Sequence, residues 1–122
     1  MSRAALAGAA LAAWLVAGVA HAQEPAGPGR KMPDRGQDHV PQGTAISYQE
    51  YPPTSGPHWP VWAKWGMYTE PVPDEAFVHN LEHGGIVILY KCATPCPDVV
   101  RQLQETFQTL PPSKYGHVKV VV

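Results

Sequence analysis

The chain has 122 residues, which is enough for one domain but not for two. Its formal net charge is −1 and its basic residues are scattered, so we expect neither a nucleic-acid-binding surface nor a patch for anionic membranes. The 14 prolines and 11 glycines predict a loop-rich fold with few long regular elements.

The first 22 residues have the three parts of a secretory signal peptide. Arg3 supplies the positive charge, residues 4–20 form an apolar run, and Ala20 and Ala22 are the small residues that the peptidase requires. The run is short and alanine-rich for a membrane span, so an uncleaved anchor is the less favoured alternative. We therefore predict export to the periplasm or the exterior, with no membrane attachment after cleavage.

Residues 23–38 follow the cleavage site and contain three prolines, three glycines and alternating charges. Almost no large apolar side chain is present, so burial cannot offset the entropy of ordering the segment. We interpret the segment as a flexible tether and expect a single globular domain over residues 39–122.

Regular elements are predicted in four places. Residues 44–51 alternate apolar and polar side chains and predict a strand, which two prolines end. After a proline-rich loop, residues 86–90 form a β-branched run typical of a central strand buried on both faces. Residues 117–122 predict a further strand. Between those two strands, residues 98–110 predict a helix whose apolar face consists of Val100, Leu103, Phe107 and Leu110.

This order of elements predicts a right-handed crossover between parallel strands. The fold class is therefore α+β, with a small mixed sheet, one amphipathic helix and long Pro/Gly-rich loops. The chain ends inside the last predicted strand, on an apolar run with no turn after it. We expect it to be incomplete at the C-terminus, in preference to a domain whose last element is that strand.

Two sequence motifs are long and unusual. The first, YPPTSGPHWPVWAKWGMY, starts at Tyr51, and the second, VHNLEHGGIVILY, starts at Val78. From about His39 to Tyr90 the chain resembles the bacterial family known as domain of unknown function 3105, whose members have a PPTSGPH loop and a VHNLEHG motif. Members of that family continue past the end of this chain, which agrees with the expected truncation. The resemblance implies no particular activity.

Four histidines fall within the matched region, and a neutral imidazole is a common ligand for transition metals. His79 and His83 are four residues apart, so a helical turn would place them on one face. His58 ends a rigid Pro/Gly-rich loop, which lowers the entropy cost of presenting a ligand. We predict that these three bind a metal ion, with His39 or a solvent molecule as the fourth ligand. The alternative is that the histidines are hydrogen-bonded structural residues.

The sequence HNLEH also fits H-x-x-E-H, the inverted zincin pattern, in which two histidines hold zinc and the glutamate activates a water. That chemistry needs a longer helix and a further carboxylate ligand from later in the chain. Gly84 and Gly85 end any helix at once, so a protease is disfavoured.

Softer side chains near the motifs favour copper over zinc. Met67 lies between the motifs and is a candidate ligand, because thioethers beside imidazoles select copper, especially Cu(I). Packing in the core would also account for Met67. Cys92 and Cys96 predict a disulfide across a tight loop in an exported protein, and a reduced pair that binds copper or exchanges electrons is the alternative.

Three tryptophans, Trp59, Trp62 and Trp65, recur every third residue. We interpret them as the cover of a small core, because a loop-rich domain of this size has few other large side chains to bury. A ligand pocket lined by the same rings is the alternative.

Three classes of function follow. The favoured one is an exported protein that binds a transition metal, copper in preference to zinc, and stores it, buffers it or passes it to a metal-receiving protein. The second is a metal-dependent hydrolase or redox enzyme that uses the same histidines. The third is a non-catalytic interaction module whose histidines and tryptophans are structural.

Overall fold

The computed structural model describes residues 27–122, so the predicted signal peptide of residues 1–22 lies outside the described residues. The elements in chain order are α1 (Asp74–Glu82), β1 (Ile86–Val87), α2 (Pro97–Thr109) and β2 (Val120–Val121). Two helices and a small parallel sheet confirm the α+β class, and residues from Met32 onward form one compact unit. Neither described helix is long and apolar enough to cross a membrane.

β2 is the central strand of the sheet region. It pairs in parallel with β1, in the register Ile86 to Val120. Its other edge bonds to an extended segment, where Gly66 N donates to Val120 O over 2.9 Å and Tyr68 N donates to Val122 O over 2.8 Å. The predicted parallel pairing of the strands before and after α2 is confirmed. The central strand, however, is β2 and not the predicted run at 86–90. Val120 and Val121 are buried, and their backbone groups find partners at both edges of the strand.

The predicted strands are shorter than expected or absent. Residues 44–51 form no ladder; instead Thr44 O accepts a hydrogen bond from the Trp59 indole, and Ile46 N donates to the Glu75 carboxylate. Side chains thus satisfy backbone groups that a neighbouring strand would otherwise satisfy. The run at 86–90 is not buried on both faces, since Ile86 remains 58% exposed. β1 is an edge strand that pairs with β2 alone in the described sheet.

α2 confirms the predicted helix to within about one residue. The four residues of its predicted apolar face are its least exposed along that stretch, although none is fully buried. α1 is longer than the single turn expected at HNLEH. Asp74 and Glu75 lie in its first turn, where carboxylates interact favourably with the helix dipole, and Gly84 follows its end with a φ of 70°.

The core is small and lies between α1 and β2. Ala63, Ala76 and Val121 form its centre. Trp59 and Trp65 pack against that centre, as predicted for a tryptophan cover. Trp62 does not cover the core, since it is 48% exposed and contacts two histidine rings instead.

The predicted tether packs at its C-terminal end. Arg35 N donates to the Ser55 hydroxyl, Gly56 N donates to Gly36 O, and the Arg35 guanidinium pairs with Glu50. The packed unit therefore begins before the predicted boundary at His39. Backbone pairing with the proline-rich loop stabilises this segment, and its side-chain composition gives no sign of that pairing.

Gly85 cannot carry a larger side chain without strain. A Cβ there would lie 2.6 Å from the Trp65 ring and 2.7 Å from Asn80 O. We expect Gly85→Ala to lower the free energy of unfolding by about 1–3 kcal/mol through overpacking. Urea denaturation of the variant measures the loss.

Gly84→Ala is the matched control, because a Cβ at that position meets no atom within 4 Å and only the positive φ is strained. It should cost about 1 kcal/mol. A Gly85→Ala variant as stable as the wild type would show that α1 and Trp65 are not packed as described.

Candidate metal centre

Two segments supply the buried histidines. His79 lies on α1 and is 3% exposed, and His58 ends the proline-rich loop and is 1% exposed. Glu82 is three residues beyond His79, so it lies on the same face of the helix. Such deep burial of two imidazoles requires that each ring find polar partners.

His39 is aligned with His58 by backbone pairing. Val40 N donates to His58 O over 2.8 Å, and His58 N donates to Asp38 O over 2.9 Å, which makes an isolated parallel bridge. The His39 ring consequently lies 4.9 Å from the His58 ring and stacks at 5.0 Å on His79. The segment before the motifs is therefore part of the site.

Main-chain carbonyls fix the orientation of both buried rings. His58 Nδ1 lies 2.8 Å from Gly56 O, and His79 Nδ1 lies 2.7 Å from Trp59 O. A carbonyl oxygen can only accept, so each Nδ1 carries a proton and donates. In the neutral ring, the lone pair then lies on Nε2. This is the arrangement of a histidine prepared to bind a metal through Nε2.

Four ligand atoms converge on one region. Nitrogen atoms of His39, His58 and His79 and a carboxylate oxygen of Glu82 all lie within 4.8 Å of one another. Glu82 Oε2 is 3.0 Å from His58 Nε2, 3.6 Å from His39 Nε2 and 3.8 Å from His79 Nε2. Ligands about 2.0–2.1 Å from a tetrahedral ion are separated by roughly 3.4 Å, which lies within this range. The group could hold one metal ion.

The charges of the site oppose one another. Burial lowers the pKa of the His79 imidazole, and the neighbouring His58 and His83 lower it further. Burial alone would raise the pKa of the Glu82 carboxyl, but the hydrogen bond from His58 and the three histidines around it lower that pKa overall. The site therefore favours a neutral ligand at His79 and an ionised ligand at Glu82.

His83 lies at the outer side of the cluster. It follows α1 and is exposed, and its Nε2 is 2.9 Å from His79 Nε2. The two rings are stacked at 4.8 Å, and Trp62 lies edge-on to both. The predicted pair thus shares one helix face, although His83 is not one of the four convergent ligands.

Met67, the predicted thioether ligand, lies in the extended segment between Gly66 and Tyr68, which pairs with β2. Cys92 and Cys96 form the predicted disulfide, with a Cα–Cα distance of 6.1 Å.

Glu82, which the HNLEH pattern predicts only as the general base of a protease, has a carboxylate oxygen among the candidate ligand atoms. The spacing of three residues from His79 was the available signal. The zincin pattern stays disfavoured, since α1 ends at Glu82 and no later acid joins the group among the described residues.

Asn80 holds α1 against residues 59–63, the segment whose Trp59 carbonyl is the partner of the His79 ring. Its side chain is fully buried, its Nδ2 donates to Ala63 O over 2.8 Å, and its Oδ1 accepts from Ala63 N over 2.9 Å. The two bonds hold residues 59–63 at a fixed distance from the helix. Trp59 O is part of that segment, so the orientation of the His79 ring depends on this contact.

Comparison with known proteins gives a family and no relative of known role. A family model described as "Protein of unknown function (DUF3105)" matches residues 39–120, which confirms the resemblance seen in the two motifs and extends it beyond Tyr90. No curated protein and no solved structure matches the chain.

Asn80→Ala should destabilise the protein. The substitution leaves the buried N–H and C=O of Ala63 without partners, at about 1–3 kcal/mol each. We expect the free energy of unfolding to fall by about 2–4 kcal/mol in urea denaturation. Gln102→Ala, on the exposed side of α2, removes an amide of similar size and should change it by less than about 0.5 kcal/mol. Equal effects of the two substitutions would contradict a stabilising role for the two hydrogen bonds between Asn80 and Ala63.

The metal-free protein should lose stability in acid. The pKa values of His79 and Glu82 are lower in the folded state, so the unfolded chain takes up these protons first. Stability is then present above the unfolded values and is lost as the pH falls. In EDTA we expect the free energy of unfolding to decline below pH 6.5, the ordinary pKa of His79, and further below 4.5, that of Glu82. Glu82→Gln should remove the second decline and keep the first, and a flat wild-type profile would contradict both shifts.

Proposed function

Because this chain belongs to the family described as protein of unknown function (DUF3105), whose description names no activity, we propose its function from the site: it binds one transition-metal ion through His39, His58, His79 and Glu82. The proposal includes export, which is supported by the predicted signal peptide at residues 1–22. The bound ion is stored, buffered or passed to a metal-receiving protein.

One observation carries the proposal. The Nδ1 protons of His58 and His79 are used by main-chain carbonyls, so the Nε2 atoms offer lone pairs. His58 Nε2 then faces a carboxylate oxygen of Glu82 at 3.0 Å, whereas His79 Nε2 can accept a hydrogen bond from His83 Nε2 at 2.9 Å. The lone pairs of His58 Nε2 and the Glu82 carboxylate repel at this distance unless a cation, either a proton or a metal ion, lies between them. The rings are fixed by main-chain carbonyls, and their nitrogen atoms lie close to a carboxylate oxygen. This arrangement supports a metal ion at the centre of the group.

The donor atoms favour copper as Cu(II), with zinc as the next choice. Imidazole and carboxylate suit zinc, copper, iron and nickel, and among divalent ions a given site binds Cu(II) most tightly. A preference for Cu(I) would require soft sulfur ligands. Cys92 and Cys96 are joined in a disulfide, so neither offers a thiolate. We therefore prefer copper in its divalent state, bound by the nitrogen and oxygen atoms of the four-residue group.

Access to the site supports exchange of the ion over permanent structural binding. The His39 side chain is 49% exposed and that of Glu82 is 25% exposed, while their two partners are buried. A cavity of about 260 Å³ lies against His58 and Glu82, between them and residues 34–37. A closed structural site would have no such opening. The same opening could admit a substrate, so a metal-dependent enzyme is the alternative that turnover by the loaded protein would support.

Metal titration tests the proposal directly. Protein stripped with EDTA and dialysed against Cu(II) or Zn(II) should retain one ion per chain, measured by mass spectrometry of the metal. His58→Ala and His79→Ala each remove a proposed metal ligand and should weaken binding by about 100-fold or more. His83→Ala should weaken binding less, because His83 lies outside the four-residue group. Circular dichroism of each metal-free variant shows whether it is folded.

His117→Ala is the matched control, because His117 is exposed and lies outside the four-residue group. Its affinity should equal that of the wild type. Absence of stoichiometric binding at micromolar metal, or an equal loss in the His117 variant, would leave an interaction module as the better explanation.

A further inference from the structure

The disulfide between Cys92 and Cys96 lies on the surface, between the β1 run and α2. Cys92 is exposed and Cys96 is half-buried, so Cys92 is the residue more open to an attacking group. The proposed metal centre uses neither residue. A disulfide whose sulfur is accessible can undergo thiol–disulfide exchange, whereas a buried structural one cannot.

Cys96 stands at the N-cap of α2, a helix of 13 residues that begins with Pro97. In the described chain its side chain makes no capping hydrogen bond. Pro97 has no N–H, but the positive end of the helix dipole lies next to Cys96, where a negative charge on its Sγ would form. A thiolate in such a position is stabilised and is a good leaving group.

The nearest charged side chains largely compensate one another. Asp98 lies in the first turn and opposes a thiolate, but its carboxylate is 2.9 Å from the Arg101 guanidinium. Arg101 also lies 3.7 Å from Glu105, and all three side chains are more than half exposed. Solvent screening at these exposed positions leaves the backbone of α2 as the main source of stabilisation.

A surface cavity of about 800 Å³ adjoins the disulfide. Both cysteines line the cavity. The other lining residues are apolar and polar, and they include Tyr90, Val100, Arg101 and Gln104. The disulfide is therefore open to a dithiol that approaches from this side of the surface.

We propose that Cys92 and Cys96 form a redox site that accepts two electrons from a partner dithiol through thiol–disulfide exchange. The partner's thiolate attacks Cys92 Sγ, a bond forms between those sulfurs, and the Cys92–Cys96 bond breaks. Its electron pair leaves with Cys96 as a thiolate at the start of α2. The partner's second thiolate then attacks the mixed disulfide and displaces Cys92, so the partner becomes a disulfide and this protein a dithiol that takes up two protons.

A matched peptide separates this site from an ordinary disulfide loop. The oxidised peptide of residues 90–98 has the same ring of atoms but no helix. The purified protein and the peptide are each reduced by dithiothreitol in EDTA, and the rates are compared. We expect the protein to react about tenfold faster, and the Cys96 thiol of the reduced protein to titrate about one pH unit lower than that of the peptide, followed by thiolate absorbance at 240 nm.

The site of attack is tested with glutathione. One equivalent is added to the oxidised protein, the reaction is quenched with acid, free thiols are alkylated and the products are mapped by mass spectrometry. Glutathione should be found on Cys92 and the alkyl group on Cys96, in about tenfold excess over the reverse pattern. Asp98→Asn and Arg101→Ala should shift the thiol titration in opposite directions, downward and upward.

Equal reduction rates of protein and peptide, or adducts divided evenly between the two cysteines, would overturn the proposal and leave a structural disulfide. A wild-type circular dichroism spectrum after reduction shows that the comparison concerns a folded protein. Both experiments are carried out in EDTA, so the outcome is independent of metal binding.

Discussion

The hydrogen bonds from His58 and His79 to main-chain carbonyls determine what this site can do. Each bond fixes a proton on Nδ1 and turns Nε2 toward Glu82 and the neighbouring histidines. Without these carbonyls the rings could rotate or change tautomer, and the cluster would be an ordinary set of buried polar residues. With them, the folded chain brings together nitrogen and oxygen atoms whose lone pairs face one another and that a cation would join.

The rest of the fold serves that constraint. α1 carries His79 and Glu82, the bridge between His39 and His58 aligns the other two rings, and Asn80 holds the carbonyl segment against the helix. The small core beneath, with Trp59 and Trp65 packed over it, supports these loops where long regular elements are lacking. Loops rich in proline lose little entropy on ordering, which explains how so little regular structure can hold a defined site.

Local features of the sequence predicted part of this arrangement. The diglycine after HNLEH predicted where α1 ends, the spacing of apolar residues predicted α2, and the two cysteines predicted a disulfide. The prediction of a strand at 44–51 is wrong. The apolar and polar side chains alternate there, but no neighbouring strand pairs with the segment. Pairing of residues 35–39 with the proline-rich loop joins distant backbone groups, and side-chain pattern carries no information about such bonds. The spacing of Glu82 from His79 is visible in the sequence, but its approach to His58 depends on a contact between distant segments.

Nitrogen-15 NMR of the imidazole rings tests the central claim most directly. In the metal-free protein at neutral pH, His79 should show a proton on Nδ1, and on addition of the diamagnetic ion Zn(II) the Nε2 signals of His58 and His79 should move to the range of metal-bound nitrogen. The Nδ1 protons of both rings should persist, because the carbonyls of Gly56 and Trp59 still accept them. Rings that carry a proton on Nε2 and none on Nδ1 in the metal-free protein, or Nε2 signals that do not respond to Zn(II), would contradict the account.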